Sequence, residues 1–187
     1  MRFVACALLT LITGLGLTGC GLGEAVSPLI SAAREGNVER IKSLAAVRVD
    51  LDEPGGVNHW TPLMHAIHKN QAGAVEALLE AGARVNVVSG NTTALILAAG
   101  YGQTDIVRIL LSHGADPKLA VRPGVTALAA AVGGSRDADN YTAGKCQTDT
   151  VKILLERDAS LLIPSDSEAV QTAQKGGCAE VVALVSR

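Results

Sequence analysis

Aromatic residues are nearly missing from this chain of 187: one Trp, two Tyr and one Phe make up 2% of it. A core built on large rings is therefore excluded. The 48% of residues that are hydrophobic must supply it instead, mostly as Ala, Leu and Val. Neither sign of charge dominates, with 16 Lys and Arg against 18 Asp and Glu. No basic patch stands out, which argues against a nucleic-acid partner. Cysteine is sparse as well, with four in the chain. No apolar run after Leu17 is long enough to cross a bilayer.

The marks of catalysis are missing too. Gly133-Gly134-Ser135 and Gly176-Gly177 do not make a phosphate loop, and no Ser sits in a nucleophile elbow. His59, His65 and His68 lie close together, but no Cys is near and no carboxylate falls between Pro54 and Ala74 to complete a metal site. Arg136-Asp137-Ala138-Asp139-Asn140 alternates acidic side chains without the glycine and closing Glu of a calcium loop. These patterns predict no cofactor, no metal and no enzyme activity.

What the chain does have is a recurring phrase: Ser27-Pro28-Leu29, Thr61-Pro62-Leu63, Thr93-Ala94-Leu95 and Thr126-Ala127-Leu128. From Thr61 to Thr93 is 32 residues and from Thr93 to Thr126 is 33. A fixed period of this size marks stacked units, none of which buries its apolar face alone. Ser or Thr caps a helix through its hydroxyl, and Pro suits the first helical position. Small pairs follow: Ala32-Ala33, Ala66-Ile67, Ala98-Ala99 and Ala131-Val132. They let neighbouring helices approach closely. Gly36 and Gly102 then stop the first helix, and Asn70 holds the same place in the second unit. A second helix carries larger apolar residues, such as Val75, Leu78 and Leu79, and ends at Gly82-Ala83 or Gly114-Ala115. About ten polar residues lead to the next Thr, which suits an extended turn or short hairpin.

This unit resembles the ankyrin repeat, on Thr61 to Ile67 with Val75 to Ala83 and on Thr93 to Ala99 with Gly102 to Asp116. The resemblance implies an all-α solenoid of about five helix-turn-helix units with hairpin loops, 27–57, 58–89, 90–121, 122–164 and 165–187. Departures occur: Ile30, Met64, Ile96 and Ala129 replace the usual His after Pro-Leu, while Arg48 and Asp158 stand where Gly is usual. The last unit keeps only Ala169, Val170, Ala173, Gly177, Val181 and Val182.

The N-terminus reads as an address. Arg2 precedes an apolar run from Phe3 to Leu17, the core of a signal peptide over 1–19. Leu17-Thr18-Gly19-Cys20 resembles a bacterial lipobox, in which Cys20 is lipidated; the alternative is an ordinary signal with a chance cysteine. Residues 20–26 would form a short linker. The resemblance implies a lipid-anchored protein of the bacterial envelope, facing the periplasm. Gly21 after Cys20 favours the outer membrane. Removing the signal leaves 15 basic against 18 acidic side chains, a formal charge of −3.

Two cysteines then remain, Cys146 and Cys178, in corresponding places of adjacent units. In an oxidising compartment they either pair or stay separate thiols. Pairing needs the chain to bend, because stacked helices lie roughly 8–10 Å apart and a disulfide needs Cα atoms within about 7 Å.

From Thr93 to Asp105 is 12 residues, whereas from Thr126 to Asp149 is 23. The fourth unit thus carries an 11-residue insertion within 133–145, polar and glycine-containing. Insertions of this kind fall on one face, often the binding face. Trp60 precedes a Thr cap, Tyr101 follows a small pair, and Tyr141 lies in the insertion. His68 and Lys69 hold helix-end positions equivalent to Arg34 and Glu35. In ankyrin repeats such positions face partners, and aromatics are favoured anchors. Trp60, His68, Lys69, Tyr101 and Tyr141 are therefore the expected protein-binding residues, with hairpin residues Asn58, His59, Ser89, Asn91, Arg122 and Pro123 beside them. The expected role is a monomeric scaffold or accessory factor holding a protein partner. The alternatives are a periplasmic immunity protein that neutralises a toxin and, from the enzyme class, a hydrolase using the inserted loop.

Overall fold

The computed structural model describes residues 27–186. Cys20 and the rest of the signal and linker segments lie outside them. The described residues form ten helices in five antiparallel pairs: α1 (Pro28–Glu35) with α2 (Val38–Ala46), α3 (Pro62–His68) with α4 (Ala72–Glu80), α5 (Ala94–Tyr101) with α6 (Thr104–Ser112), α7 (Ala127–Gly133) with α8 (Thr148–Arg157), and α9 (Glu168–Lys175) with α10 (Ala179–Val185). The odd-numbered helices stack as an inner layer and the even-numbered ones as an outer layer. No helix among the described residues is long and apolar enough to cross a membrane.

The recurring phrase does the capping work its chemistry predicts. Thr61, Thr93 and Thr126 each accept the amide three residues on, at 3.4, 3.1 and 3.2 Å. Ser27 makes no such bond. Ser167 does, to Val170 N at 3.3 Å, so the degenerate last unit keeps the cap without the Pro-Leu that made it easy to see. The small pairs are buried at 0–2% exposure, which is what lets α1, α3, α5, α7 and α9 lie side by side. Outer-layer residues Ile41, Val75, Leu78, Ile106, Leu110, Val151 and Leu154 close the core behind them. Hairpins between units are held by single antiparallel bridges, Gly55 to Trp60, Ser89 to Thr92 and Arg122 to Val125.

The helix stops follow the expected logic, with one departure. Gly36 and Gly102 take φ of 72° and 69°, and Asn70 and Arg48 adopt the left-handed region at 56° and 59°. Gly102 is needed for a second reason. A Cβ there would lie 3.2 Å from Cδ of Gln147, whose Nε2 donates to Gly100 O at 3.0 Å. Gln103 does the same to Ile67 O at 2.8 Å. Each glutamine thus fills a helix-end carbonyl of the unit before its own. At the fourth unit Asp158 is extended, with φ −150°, rather than left-handed. Its carboxylate accepts from Ser160 N and Oγ at 2.9 and 2.6 Å and pairs with Lys118 Nζ at 2.8 Å. Chiefly through the Lys118 bond, and then those from Ser160, its pKa falls to about 2. A helix stop has become a tie between units, like Asp52 with Arg84 at the first junction, where Arg84 Nε lies 2.7 Å from the carboxylate.

Candidate protein-binding face

The insertion does not project into solvent. It folds back along the inner layer as an arm. At its base Ser135 N donates to Thr142 Oγ1 at 2.8 Å, and Thr142 N and Ala143 N return to Ser135 O at 2.8 and 2.9 Å. Thr142 Oγ1 donates in turn to Gly100 O, docking the base on the third unit. The tip is tightened by the side chains of Ser135 and Asp137: Asp137 N donates to Ser135 Oγ at 3.0 Å and Asp139 N to Asp137 Oδ1 at 2.9 Å. Of the alternating carboxylates that fail as a calcium loop, Asp137 serves as a turn former.

The tip reaches the second unit. Tyr101 OH donates to Asp137 Oδ2 at 3.0 Å. Asp139 Oδ2 lies 3.2 Å from both His68 Nε2 and Lys69 Nζ. Asn140 Nδ2 donates to His68 O at 3.0 Å and lies 3.2 Å from His68 Nδ1. With Nε2 as the donor to Asp139, Nδ1 is left to accept from Asn140, and it also lies 3.3 Å from Tyr101 OH. Lys69, followed by His68, holds the Asp139 carboxyl below its ordinary value. Burial, reinforced by the bond to Asp137, pushes the Tyr101 phenol up.

This geometry corrects the expectation that Trp60 and Tyr101 are outward anchors. Trp60 is only 7% exposed and Tyr101 8%. Trp60 closes its hairpin, with its ring against the backbone of Gly90 in the next one and 5.2 Å from the His68 ring. Tyr101 sits 6.0 Å beyond His68 and is spent on the arm. The side chain of His68 is 14% exposed and that of Lys69 35%, while Tyr141 stands out at 58%. Hairpin residues Asn58, His59, Asn91, Arg122 and Pro123 are exposed and Ser89 is half-buried. Beside the arm tip, a cleft of about 770 Å³ is lined by Arg34, Glu53, the hairpin from Pro54 to Trp60, His65 and His68.

His65 is not a solvated histidine. It is 8% exposed and its Nε2 donates to Gly55 O at 3.1 Å, joining helix to hairpin. Burial lowers its pKa, against the opposing pull of the Gly55 carbonyl. Among the described residues, no three His, Cys, Asp or Glu side chains gather as a metal site.

Behind the arm, Cys146 and Cys178 are joined as a disulfide with Cα atoms 5.2 Å apart. The chain bends to allow it. Gly144 lies so close to Gly176 that a Cβ on Gly176 would overlap the Gly144 carbonyl. Cys146 is exposed, whereas Cys178 is buried at 3%. The staple ties the arm's exit to the turn between α9 and α10. Sequence reasoning finds the arm's position, since the spacing is irregular there. It misses the roles of Asp137, Asp139 and Asn140, because nothing in their order tells which distant side chains they meet. The glutamines at 103 and 147 are missed as well, although both stand just before a second helix.

The profile described as "Ankyrin repeats (3 copies)" matches residues 5–89 and 89–161. The chain is similar to Zygote-specific protein 3 of Chlamydomonas reinhardtii, at 32% identity over 139 residues, covering 74% of this chain and 37% of that protein. It is also similar to a putative ankyrin repeat-containing protein of Treponema pallidum, at 35% identity over 54% of this chain and 35% of the other. It thus spans little more than a third of the length of these relatives. Among solved structures, the human ASB11 ankyrin repeat domain superposes with a TM-score of 0.67 at 25% identity, covering 86% of this chain and 68% of that one. The period, the capped helix pairs and the profile that spans most of its length agree that the chain belongs to the ankyrin repeat family.

Proposed function

We propose that this protein holds a protein partner on its arm-bearing inner face and hairpins, as a scaffold or accessory factor tethered to the bacterial envelope through lipid on Cys20. Ankyrin repeats bind protein partners, and a fold of this kind carries its function in surface positions. The observation that carries the reading is the arm: it lies against His68 and Tyr101 of the inner layer and presents Tyr141, 58% exposed. A rigid aromatic above a polar rim is a favoured interface anchor. The tether rests on Leu17-Thr18-Gly19-Cys20, with the outer membrane favoured by Gly21. Stable attachment takes more than one acyl chain. The protein acts as a monomer facing the periplasm.

Two measurements test this. A photo-crosslinking residue at Tyr141 should capture a partner in cells, while the same residue at Arg108, exposed on an outer helix, should not. Equal labelling at both positions, or none at Tyr141, refutes the face. Metabolic labelling with a fatty-acid analogue should mark the wild type and not Cys20→Ala. Labelling that survives the substitution refutes the tether.

A further inference from the structure

The arm places an acidic segment of the chain's own sequence on the inner face, and its contacts are those of a bound peptide. Asp139 is gripped by Lys69 and His68, Asp137 by the Tyr101 hydroxyl, and Asn140 by the His68 carbonyl. All of these receptors belong to the second and third units, whereas the arm springs from the fourth. Successive helix pairs stack roughly 8–10 Å apart, so the tip crosses roughly 16–20 Å to reach them. The only groups it uses there are one cation, two ring partners and a helix-end carbonyl. The N-terminal caps of α3 and α5, Thr61 and Thr93, make their bonds without the arm.

The geometry points to the arm as an internal ligand. We infer that the face formed by His68, Lys69 and Tyr101 receives an acidic Asp-x-Asp segment of a partner protein when the arm is displaced. The adjoining cleft begins at His68 and is lined by Arg34 as well as Glu53. A partner segment longer than the arm tip would continue into it. This inference rests on the reading of the inner face as a protein-binding surface and names the chemistry it selects. A segment held on a short tether acts at an effective concentration on the order of millimolar. A free segment making the same contacts therefore binds the wild-type chain weakly, with its affinity reduced by the fraction of arms that are closed.

The probe is a fluorescent nonapeptide with the sequence of residues 135–143, titrated by anisotropy against the full chain in detergent. Asp137→Ala with Asp139→Ala releases the arm through substitutions on an exposed loop, and a thermal melt checks that the fold is kept. The released variant should bind the peptide at least tenfold more tightly than the wild type. Adding Lys69→Glu, or replacing both Asp of the peptide by Asn, should remove at least tenfold of that affinity. Equal affinity for wild type and released variant overturns the proposal, as does binding that ignores the peptide's carboxylates. A concentration-dependent dimer of the wild-type chain in sedimentation also overturns it, since the arm of a second copy would then be the occupant. The Tyr141 crosslinking result keeps the two readings apart. If capture persists without peptide binding, the exchange fails and the protein-binding face stands; if both fail, both fall.

Discussion

Replacing Cys146 by Ser should loosen the last unit without melting the rest of the stack. The disulfide closes a loop with a sequence separation of 32 that contains α8, the following segment and α9. Chain-entropy reasoning assigns a loop of that size roughly 3–4 kcal/mol, with less delivered where the reduced chain keeps structure. Cys146 is the better position to change, because it is exposed; Cys178, buried at 3%, would then remain as a small apolar thiol. In a stack each unit leans only on its neighbours, so the loss falls on the final pair. That pair has little to spare: α9 buries Val170 and Ala173, and α10 buries Val181 and Val185. Urea unfolding followed by circular dichroism should split, with an early step from α9 and α10 and a later one near the wild-type midpoint. Limited proteolysis should cut between 158 and 167 well before the inner units. A single transition with an unchanged midpoint would refute the reasoning. So would mass spectrometry of the unreduced wild type that finds no peptide pair linking Cys146 to Cys178.

Other perturbations test other joints. Tyr101→Phe removes the bond to Asp137 and should open the arm by about 1 kcal/mol, read as trypsin cleavage after Arg136 several times faster than in the wild type. Gly102→Ala forces a Cβ into positive φ and against Gln147; it should cost at least about 1 kcal/mol in a thermal melt, more than Gly114→Ala, where nothing lies within 4 Å. His65 is held below its ordinary value of 6.5, so the unfolded chain binds more protons in the window between the two values. Its contribution is complete above about pH 6.5, falls as pH drops through the folded value, and should flatten in His65→Gln, measured as denaturation midpoint against pH.

Much of the fold was legible because its determinants are local. A Thr hydroxyl reaches the amide three residues on, a Pro suits the first turn, and a glycine accepts positive φ; each is decided within a few residues of itself. Stacking then follows from the small pairs, since Ala98 and Ala99 at 0% exposure leave no other way to bury the inner layer. Where a local rule was broken, the replacement had a distant reason that spacing does not carry. Asp158 abandons the left-handed stop for a bond to Lys118, forty residues earlier.

The candidate face was legible in position and misleading in exposure, for the same reason. Family positions place Trp60 and Tyr101 on the inner side of the stack, and they do lie there. Which of them meets solvent depends on the path of an irregular segment, and that path is set by pairings across 36 residues for Tyr101 with Asp137 and 70 for Lys69 with Asp139. No period encodes such pairings. The insertion therefore changes the meaning of the residues beneath it. Tyr101 becomes a donor to the chain's own carboxylate, His68 a latch, and Tyr141 the aromatic left outside. An ankyrin stack without the arm would offer His68, Lys69 and Tyr101 directly. This one offers them only to a segment able to replace Asp137 and Asp139, so the arm sets a threshold of charge and shape that a partner must meet before the inner face opens to it.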